Sequence, residues 1–396
     1  WVANSLNLSV LSSGFSNNFE TNGAVTIEPS SDSFTNALTF PISNLSLSNS
    51  VSGLTLGKAS NTKDITFGSV TSINGPITAY GSNIAINGAL TATNSSISLQ
   101  ASGTVTQTAA ITATNLELSG TGTFTLTNTS NNVGTIAGGT SSSKLGSLTY
   151  VDSNELTIGA LTNPGIIASG KINIQTLTNN LNLNSNVVTD NTATDAIILN
   201  AGKSASIGAT TGGDIIVIGT PSVTTGANGI AKLYSGSAVN SAGLTSLVGG
   251  LTNVRYETDE TTTTFVPALE AGNSYAFYRE SVSIAPAITS FSPTIAGKGE
   301  TVVITGSGFT GVTSVLFGSQ AATSFIIISD TQISAVVNNG ASGSVSVTNG
   351  AGSNAKSGFI FKVVEYNFEN NTLDSTGANL DASLVPIKLL AYNSAP

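Results

Sequence analysis

The chain of 396 residues contains no cysteine, no histidine and no methionine. The lack of cysteine excludes a disulfide framework, a zinc–thiolate centre and any thiol chemistry. The lack of histidine removes the commonest metal ligand and the usual general acid or base near neutral pH. Catalysis or metal binding would therefore have to rest on carboxylates, hydroxyls, amides and a few basic residues.

Charge is also scarce in this sequence. Charged residues make up 8% of the chain, against roughly 25% in ordinary globular proteins. There are 12 basic and 21 acidic residues, and the net charge of −9 removes the electrostatic basis for binding nucleic acid. No apolar run approaches the length of a transmembrane helix. Hydrophobic residues nevertheless make up 39% and recur periodically, which indicates a folded chain.

Residues 82–127 show how the hydrophobic residues are arranged. Short alternating segments, separated by Asn, Gly and Ser, each place two apolar side chains on one face of a strand. These pairs are Ile84/Ile86, Ile97/Leu99, Leu116/Leu118 and Phe124/Leu126. Strands this short cannot bury an apolar face alone, so we expect them to stack on copies of themselves.

Comparable segments continue on both sides with an irregular period of about twenty residues. This period predicts a parallel β-helix, or β-solenoid, over residues 1–250. We expect two or three strands per coil and about twelve coils, which form a rod about 60 Å long. Asn94, Asn115 and Asn180 are predicted at corners, where asparagine tolerates a left-handed backbone. The alternative is an array of antiparallel sandwiches with longer strands and hairpins.

Three runs in this region resemble a known family. They are residues 54–66 (LTLGKASNTKDIT), 75–86 (GPITAYGSNIAI) and 103–110 (GTVTQTAA). These runs resemble the filamentous-haemagglutinin-like repeats of large bacterial surface adhesins, especially those of Bacteroidota, and the resemblance covers roughly residues 1–280. It implies a right-handed β-helix that is exported to the cell surface.

Residues 251–285 differ in composition from the repeats and contain both arginines of the chain and a Tyr/Phe cluster. A solenoid end exposes an apolar cross-section and unpaired strands, so we expect this segment to act as a cap or linker. Glu257, Asp259 and Glu260 are candidate calcium ligands because carboxylates suit this ion. The alternative is a solvated acidic loop.

After residue 285 the turn signals are typical of a small β-sandwich. The ordered runs 288–293 (ITSFSP), 299–309 (GETVVITGSGF), 315–318 (VLFG), 329–333 (SDTQI) and 343–349 (GSVSVTN) closely resemble an IPT/TIG domain over residues 286–363. The resemblance implies an immunoglobulin-like sandwich, which in bacterial surface proteins mostly serves as a spacer. Some relatives bind DNA, but only three lysines lie in this region, so DNA binding is not expected here.

Residues 364–396 resemble the first strand and turn of a laminin-G or concanavalin-like jelly roll. We expect the start of a further β domain here, or alternatively an extra strand on the preceding sandwich. Ser375 lies in an Asp-Ser-Thr triplet that resembles the Bacteroidota O-glycosylation motif. The sequence begins without a methionine or a signal segment, so we expect a processed product or part of a longer protein.

An enzyme is the main rival interpretation, because parallel β-helices often carry polysaccharide lyases and glycosidases. These reactions need carboxylates, or a basic residue beside calcium, that converge on one groove. Glu117 is the only charged residue between positions 64 and 144, so we expect no catalytic site. An exposed aromatic row or carboxylate cluster would instead favour glycan binding, and four side chains would decide this by their placement: Tyr80, Tyr150, Asp152 and Glu155.

Threonine repeats at 104/106, 112/114 and 121–127 invite an ice-binding interpretation, which needs a flat array in register over many coils. We interpret them as ordinary strand residues of a solvated face.

These features predict a non-enzymatic segment of a large secreted bacterial adhesin at the cell surface. We expect a rigid stalk with weak multivalent contacts to glycans or abiotic surfaces, in attachment or gliding. We expect no cofactor apart from the candidate calcium. The alternatives are a glycan-binding or glycan-degrading β-helix and a self-assembling extracellular filament subunit.

Overall fold

The computed structural model describes residues 18–19, 23–42, 46–281, 284–309, 311–339, 342–349 and 351–362. The chain divides into two compact units, Trp1–Val282 and Ser283–Pro396. Nearly all of the regular secondary structure among the described residues is β-strand, and no helix among them is long and apolar enough to cross a membrane. The predicted further domain at 364–396 and the candidate glycosylation site Ser375 lie outside the described residues.

Among its described residues, the first unit contains one short α-helix, α1 (Leu244–Leu247), and one 3-10 helix (Leu251–Asn253). Its strands are β1 (Asn18–Phe19), β2 (Ala24–Ile27), β3 (Leu38–Phe40), β4 (Ser46–Leu47), β5 (Gly53–Leu56), β6 (Ile65–Phe67), β7 (Thr71–Ile73), β8 (Ile77–Gly81), β9 (Ile84–Ile86), β10 (Leu90–Ala101), β11 (Thr104–Gln107), β12 (Ile111–Ser119), β13 (Thr123–Leu126), β14 (Asn132–Gly138), β15 (Ser147–Asp152), β16 (Leu156–Ile158), β17 (Ile166–Ala168), β18 (Ile172–Thr176), β19 (Leu181–Leu183), β20 (Val187–Thr189), β21 (Ile197–Asn200), β22 (Ile215–Val217), β23 (Val223–Thr224), β24 (Ala231–Ser235), β25 (Val254–Arg255) and β26 (Ser274–Tyr278).

Two long parallel sheets organise these strands. Sheet A has 13 strands with the main order β2-β5-β8-β10-β12-β14-β16-β19-β22, and sheet B has 11 strands with the order β3-β6-β9-β11-β13-β15-β18-β21-β24-β26-β25. Partners in sheet A lie about one period apart in sequence, as in the series Ile77, Ile97, Leu116 and Ile136. The parallel β-solenoid predicted from the periodicity is confirmed, and the antiparallel alternative for this region is wrong.

The core of the solenoid is a continuous column of apolar side chains. All four predicted pairs between residues 84 and 126 point inward and are at most 1% exposed. One buried cluster extends from Val25 to Tyr278. Each fully buried Ile, Leu or Phe contributes about 1.5–3 kcal/mol relative to an exposed one, so the stack is stabilised by burial along its whole length.

The corners differ in part from the sequence prediction. Asn94 has φ 52°, as predicted, and it lies at the irregularity where β10 turns from one face of the coil to the next. This is why β10 runs for 12 residues although its apolar pairs are short. Asn115, however, lies inside β12 with an ordinary backbone, and the left-handed residue near Asn180 is its neighbour Asn179. Composition identified the corners to within a residue, but local pairing decided which asparagine takes the strained conformation.

The solenoid extends past residue 250, where the sequence analysis placed its end. Sheet B continues to Tyr278, and β26 lies between β24 and β25 although it follows both in sequence. The edge of sheet B is therefore the two-residue strand β25, and a very short edge strand offers few groups for unwanted pairing. The last main-path strand of sheet A, β22, is contacted by α1, in which Leu244 is buried.

The second unit is a two-layer antiparallel sandwich. Its strands are β27 (Ala287–Ser292), β28 (Ile295–Gly297), β29 (Thr301–Ser307), β30 (Ser314–Phe317), β31 (Gln320–Ala321), β32 (Ser324–Ser329), β33 (Gln332–Val336), β34 (Gly343–Asn349) and β35 (Gly352–Lys362). The sheets have the orders β27-β29-β33-β32 and β28-β35-β34-β30-β31, with the pair β28–β35 parallel. Gly306 is required here, since a Cβ would lie 2.0 Å from the carbonyl oxygen of Ala287.

Candidate functional sites

Tyr150 and Asp152 lie inside the solenoid, and neither side chain is exposed. The Tyr150 hydroxyl donates to Asp152 Oδ2 at 2.6 Å, and the backbone N–H of Val133 donates to the same oxygen at 3.0 Å. Burial raises the pKa of both groups, and the charge of Asp152 raises the pKa of Tyr150 further. This pair links neighbouring coils from within, so it cannot belong to an exposed glycan-binding row.

Glu155 and two further acids of the solenoid have structural partners. Glu155 is exposed and accepts a hydrogen bond from Asn182 Nδ2 at 2.9 Å. Asp190 pairs with Lys144 at 2.7 Å, and Asp195 pairs with Lys171. Partly exposed ion pairs of this kind contribute only about 0–1 kcal/mol. These acids therefore lie at corners of different coils and do not converge on one groove.

The candidate calcium ligands do not form a metal centre. Within the described ranges, no group of three or more Asp or Glu side chains is arranged to hold a metal ion. Asp259 Oδ1 accepts hydrogen bonds from the N–H and the hydroxyl of Thr261 at 2.9 and 2.6 Å. That carboxylate therefore stabilises a local turn. This agrees with the alternative interpretation of an acidic loop, but the Asp259 side chain is buried and not solvated.

Arg279 is fully buried at the end of the solenoid, a role that composition did not indicate. Its Nη2 donates to the carbonyl oxygens of Ala201 at 2.7 Å and Gly213 at 2.8 Å. Burial lowers the pKa of the guanidinium, and the nearby carboxylates of Glu260 and Asp214 oppose this shift. The side chain thus ties the last coil to segments far earlier in the sequence.

Two of the three threonine repeats, 104/106 and part of 121–127, come together on the outer face of sheet B, whereas 112/114 lies on β12 of sheet A. Thr104 pairs with Thr123, and Thr106 pairs with Thr125. The next coil adds Ser147 and Thr149 in the same register. We call these six residues the hydroxyl face. The face has two columns and three coils, and its first two coils are exposed. The tertiary structure therefore produces a small in-register array of hydroxyls without any charge.

Tyr80 is half-buried on the outside of β8, directly beside Gln100 of the next coil. Of the four side chains whose placement was to decide between interpretations, it is the one aromatic residue on the outer surface, since Tyr150 is internal. The structure brings together no row of aromatic residues from this set. Tyr80 instead lies at a corner, among small polar residues.

Comparison with known proteins identifies the second unit. Residues 286–361 match the family model of the IPT/TIG domain. No curated protein was found to match the chain. Among solved structures, a candidate phosphatase from Bacteroides thetaiotaomicron VPI-5482 is 26% identical over 20% of this chain and 19% of its own length, with a TM-score of 0.18. The matched part is thus about a fifth of that structure, and the low TM-score carries no structural conclusion. The chain is a parallel β-solenoid followed by an IPT/TIG domain.

Proposed function

We propose that this chain is a non-catalytic segment of a secreted bacterial cell-surface adhesin. The solenoid acts as a stalk, and its uncharged outer faces make many weak contacts with glycans or abiotic surfaces. The IPT/TIG domain acts as a spacer toward further parts of the same protein. The hydroxyl face is the observation that carries this proposal, because an exposed, in-register array of hydroxyls suits shallow, repeated contacts better than the binding of one small ligand.

Two features support a mechanical role for the solenoid. Its core is a single continuous apolar cluster, so one coil cannot open without exposing the apolar residues of its neighbours. Its low content of charge lets the surface approach neutral materials without the cost of desolvating ions.

Adhesion of coated beads tests the proposal. Beads that carry the purified chain at increasing density are allowed to settle on cellulose, on mucin and on bare silica, and detachment under flow is measured. Because the contacts are individually weak, retention is expected to rise steeply with density. The double variant Thr106→Glu/Thr125→Glu, which introduces two charges on the hydroxyl face, is expected to reduce retention several-fold.

Thr114→Glu is the control, because Thr114 is exposed in β12 and outside the hydroxyl face. The proposal would be contradicted if beads coated with the wild-type chain were retained no better than uncoated beads on all three surfaces. Retention that is lost equally with Thr114→Glu would contradict the assignment to the hydroxyl face. In the source organism, deletion of the gene is expected to reduce surface attachment or spreading.

A further inference from the structure

A groove of about 290 Å³ lies at the corner that joins sheet A to sheet B. Its lining includes Ala59, Asn61, Tyr80, Gln100 and Gly120, together with small hydroxyl-bearing residues. Unequal corner lengths produce it. Residues 57–64 join β5 to β6, whereas only residues 82–83 and 102–103 make the equivalent connection in the next two coils. The longer loop projects beside the short corners and forms one wall.

Asn61 fixes this wall. Its Nδ2 donates to the carbonyl oxygen of Tyr80 at 2.7 Å, and its Oδ1 accepts from the backbone N–H of Phe34 at 3.2 Å. The side chain is only 7% exposed and thus connects the loop to the coils on both sides. A wall held in this way is preorganised, so a ligand would not have to order it on binding.

Tyr80 and Gln100 form the floor, as outward-facing register partners on β8 and β10. Gly57, with φ 77°, lies against the Tyr80 carbonyl, where a Cβ would be 2.5 Å from the oxygen. Gly120 has φ 85°, and a Cβ there would be 2.2 Å from the Ala101 carbonyl oxygen. Of these two glycines, Gly120 lines the groove, so the lining has no side chain at that position.

The chemistry of the lining is that of a neutral polar site. No charged residue is among the described residues that line the groove. The Tyr80 hydroxyl has no hydrogen bond to another described residue, and the amide nitrogen of Gln100 has one long contact of 3.5 Å, to Ala59. Hydroxyl and amide groups both donate and accept hydrogen bonds, and an aromatic ring adds an apolar surface with a polar tip.

We propose that this groove binds a short segment of a neutral glycan, with the apolar face of a sugar ring against Tyr80 and sugar hydroxyls bonded to Gln100 and the surrounding hydroxyls. The inference rests on the proposed function, in which the solenoid contacts glycans, and it assigns one such contact to a defined place. An anionic glycan is disfavoured because no basic side chain lines the groove.

The groove spans the four levels of Asn61, Tyr80, Gln100 and Gly120. With strands about 4.8 Å apart, this corresponds to a length of about 14 Å, which exceeds a single sugar ring. A shallow site with one aromatic residue is expected to bind with a dissociation constant on the order of 1 mM. Such an affinity is useful when many copies act together.

Ligand-observed NMR on the full chain tests the assignment. The probes are cellohexaose, laminarihexaose and mannohexaose as neutral glycans and hexagalacturonate as an acidic one. At least one neutral probe is expected to bind. Tyr80→Ala is expected to weaken that binding at least about tenfold, whereas Tyr80→Phe retains it within about threefold because the ring remains. Gln100→Ala is expected to weaken it to a smaller extent.

Tyr256→Ala is the matched control, because it also truncates a half-buried tyrosine but at the last coil. Circular dichroism shows whether each variant is folded. The assignment of the site to the groove would be wrong if the Tyr80→Ala variant still bound the probe, or if Tyr256→Ala weakened binding equally. Neither result would contradict the proposed adhesion to glycans. Stronger binding of hexagalacturonate would overturn the neutral class. If no neutral probe binds although coated beads still adhere, the assignment of glycan binding to the groove is wrong and the proposed adhesive function remains.

Discussion

The Tyr150 hydroxyl and the Asp152 carboxylate form a 2.6 Å hydrogen bond inside the solenoid, where neither side chain is exposed. Asp152 also accepts from the backbone of the preceding coil. The buried carboxyl group thus exchanges hydration for protein hydrogen bonds from the Tyr150 hydroxyl and from the backbone N–H groups of Val133 and Asn154. The interior of this solenoid is therefore not purely apolar, and buried polar side chains at the corners connect one coil to the next.

Asp152→Asn is expected to change how stability depends on pH. Burial raises the folded-state pKa of Asp152 above its ordinary value of 3.8. The folded protein thus favours the protonated acid, and this contribution is full below the unfolded pKa and is lost as the pH rises through the folded value. The wild type should gain stability relative to Asp152→Asn as the pH falls from 7 toward 4. Urea unfolding across this range measures the difference, and Glu155→Gln controls for the loss of one exposed carboxylate. A difference that is constant with pH would contradict the shift.

Asn131→Ala is expected to destabilise the solenoid by about 2–3 kcal/mol. Asn131 is fully buried, accepts from the N–H of Ile111 at 2.9 Å and donates to the carbonyl of Val151 at 3.0 Å. Alanine would leave buried backbone groups of two coils without partners. The neighbouring variant Asn132→Ala removes an exposed amide and is expected to stay within about 0.5 kcal/mol. Equal urea midpoints of the two variants would show that the buried amide of Asn131 contributes no more to the free energy of unfolding than the exposed amide of Asn132.

Arg279→Met is expected to loosen the end of the solenoid by about 2 kcal/mol. The variant removes the hydrogen bonds from Nη2 to the carbonyl oxygens of Ala201 and Gly213. It also removes Nε and Nη1, which are buried without a partner among the described residues, and this gain offsets part of the lost stability. Hydrogen exchange should become faster in β21, β24 and β26. Arg255→Met is the control, since Arg255 donates only to carbonyls of its own segment, such as Thr252 and Pro267. The same exchange pattern in both variants would show that the hydrogen bonds from Arg279 to Ala201 and Gly213 do not stabilise the end of the solenoid.

Ile304→Ala and Ile326→Ala are expected to differ strongly in the IPT/TIG domain. Ile304 is fully buried, and its truncation should cost about 2–5 kcal/mol. Ile326 is 70% exposed on the edge strand β32, so its truncation should change stability by less than about 0.5 kcal/mol. Thermal unfolding followed by circular dichroism compares the two. A loss from Ile326→Ala as large as that from Ile304→Ala would mean that the edge strand is covered by other parts of the protein.

Much of this architecture is readable from particular residues of the sequence. The pairs Ile84/Ile86 and Phe124/Leu126 predicted inward-facing strands, because alternation at a period of two leaves one face apolar. The Gly306-Ser-Gly308-Phe309 run belonged to a pattern that predicted the sandwich, and its first glycine meets a backbone oxygen that excludes a side chain. The end of the solenoid was less readable, since β26 joins sheet B out of sequence order.

The candidate sites could not be read from the sequence in the same way. The sequence left the placement of Tyr150 and Asp152 open, because a polar side chain near a turn can be exposed or buried, and only the structure shows that both are inside the solenoid. Tyr80 gave no sequence signal of a groove, which exists because the corner at residues 57–64 is longer than the two equivalent corners that follow it.

The sequence by itself determined the stacked parallel strands, the lack of histidine, cysteine and dense charge, and the IPT/TIG domain. These follow from composition and from periods of two and about twenty residues, which are local properties of the chain. Only the tertiary structure decided which threonines share the hydroxyl face, which corner asparagine is buried and where a groove opens. Those features depend on register between coils, and register is set by pairing between residues that are far apart in the sequence.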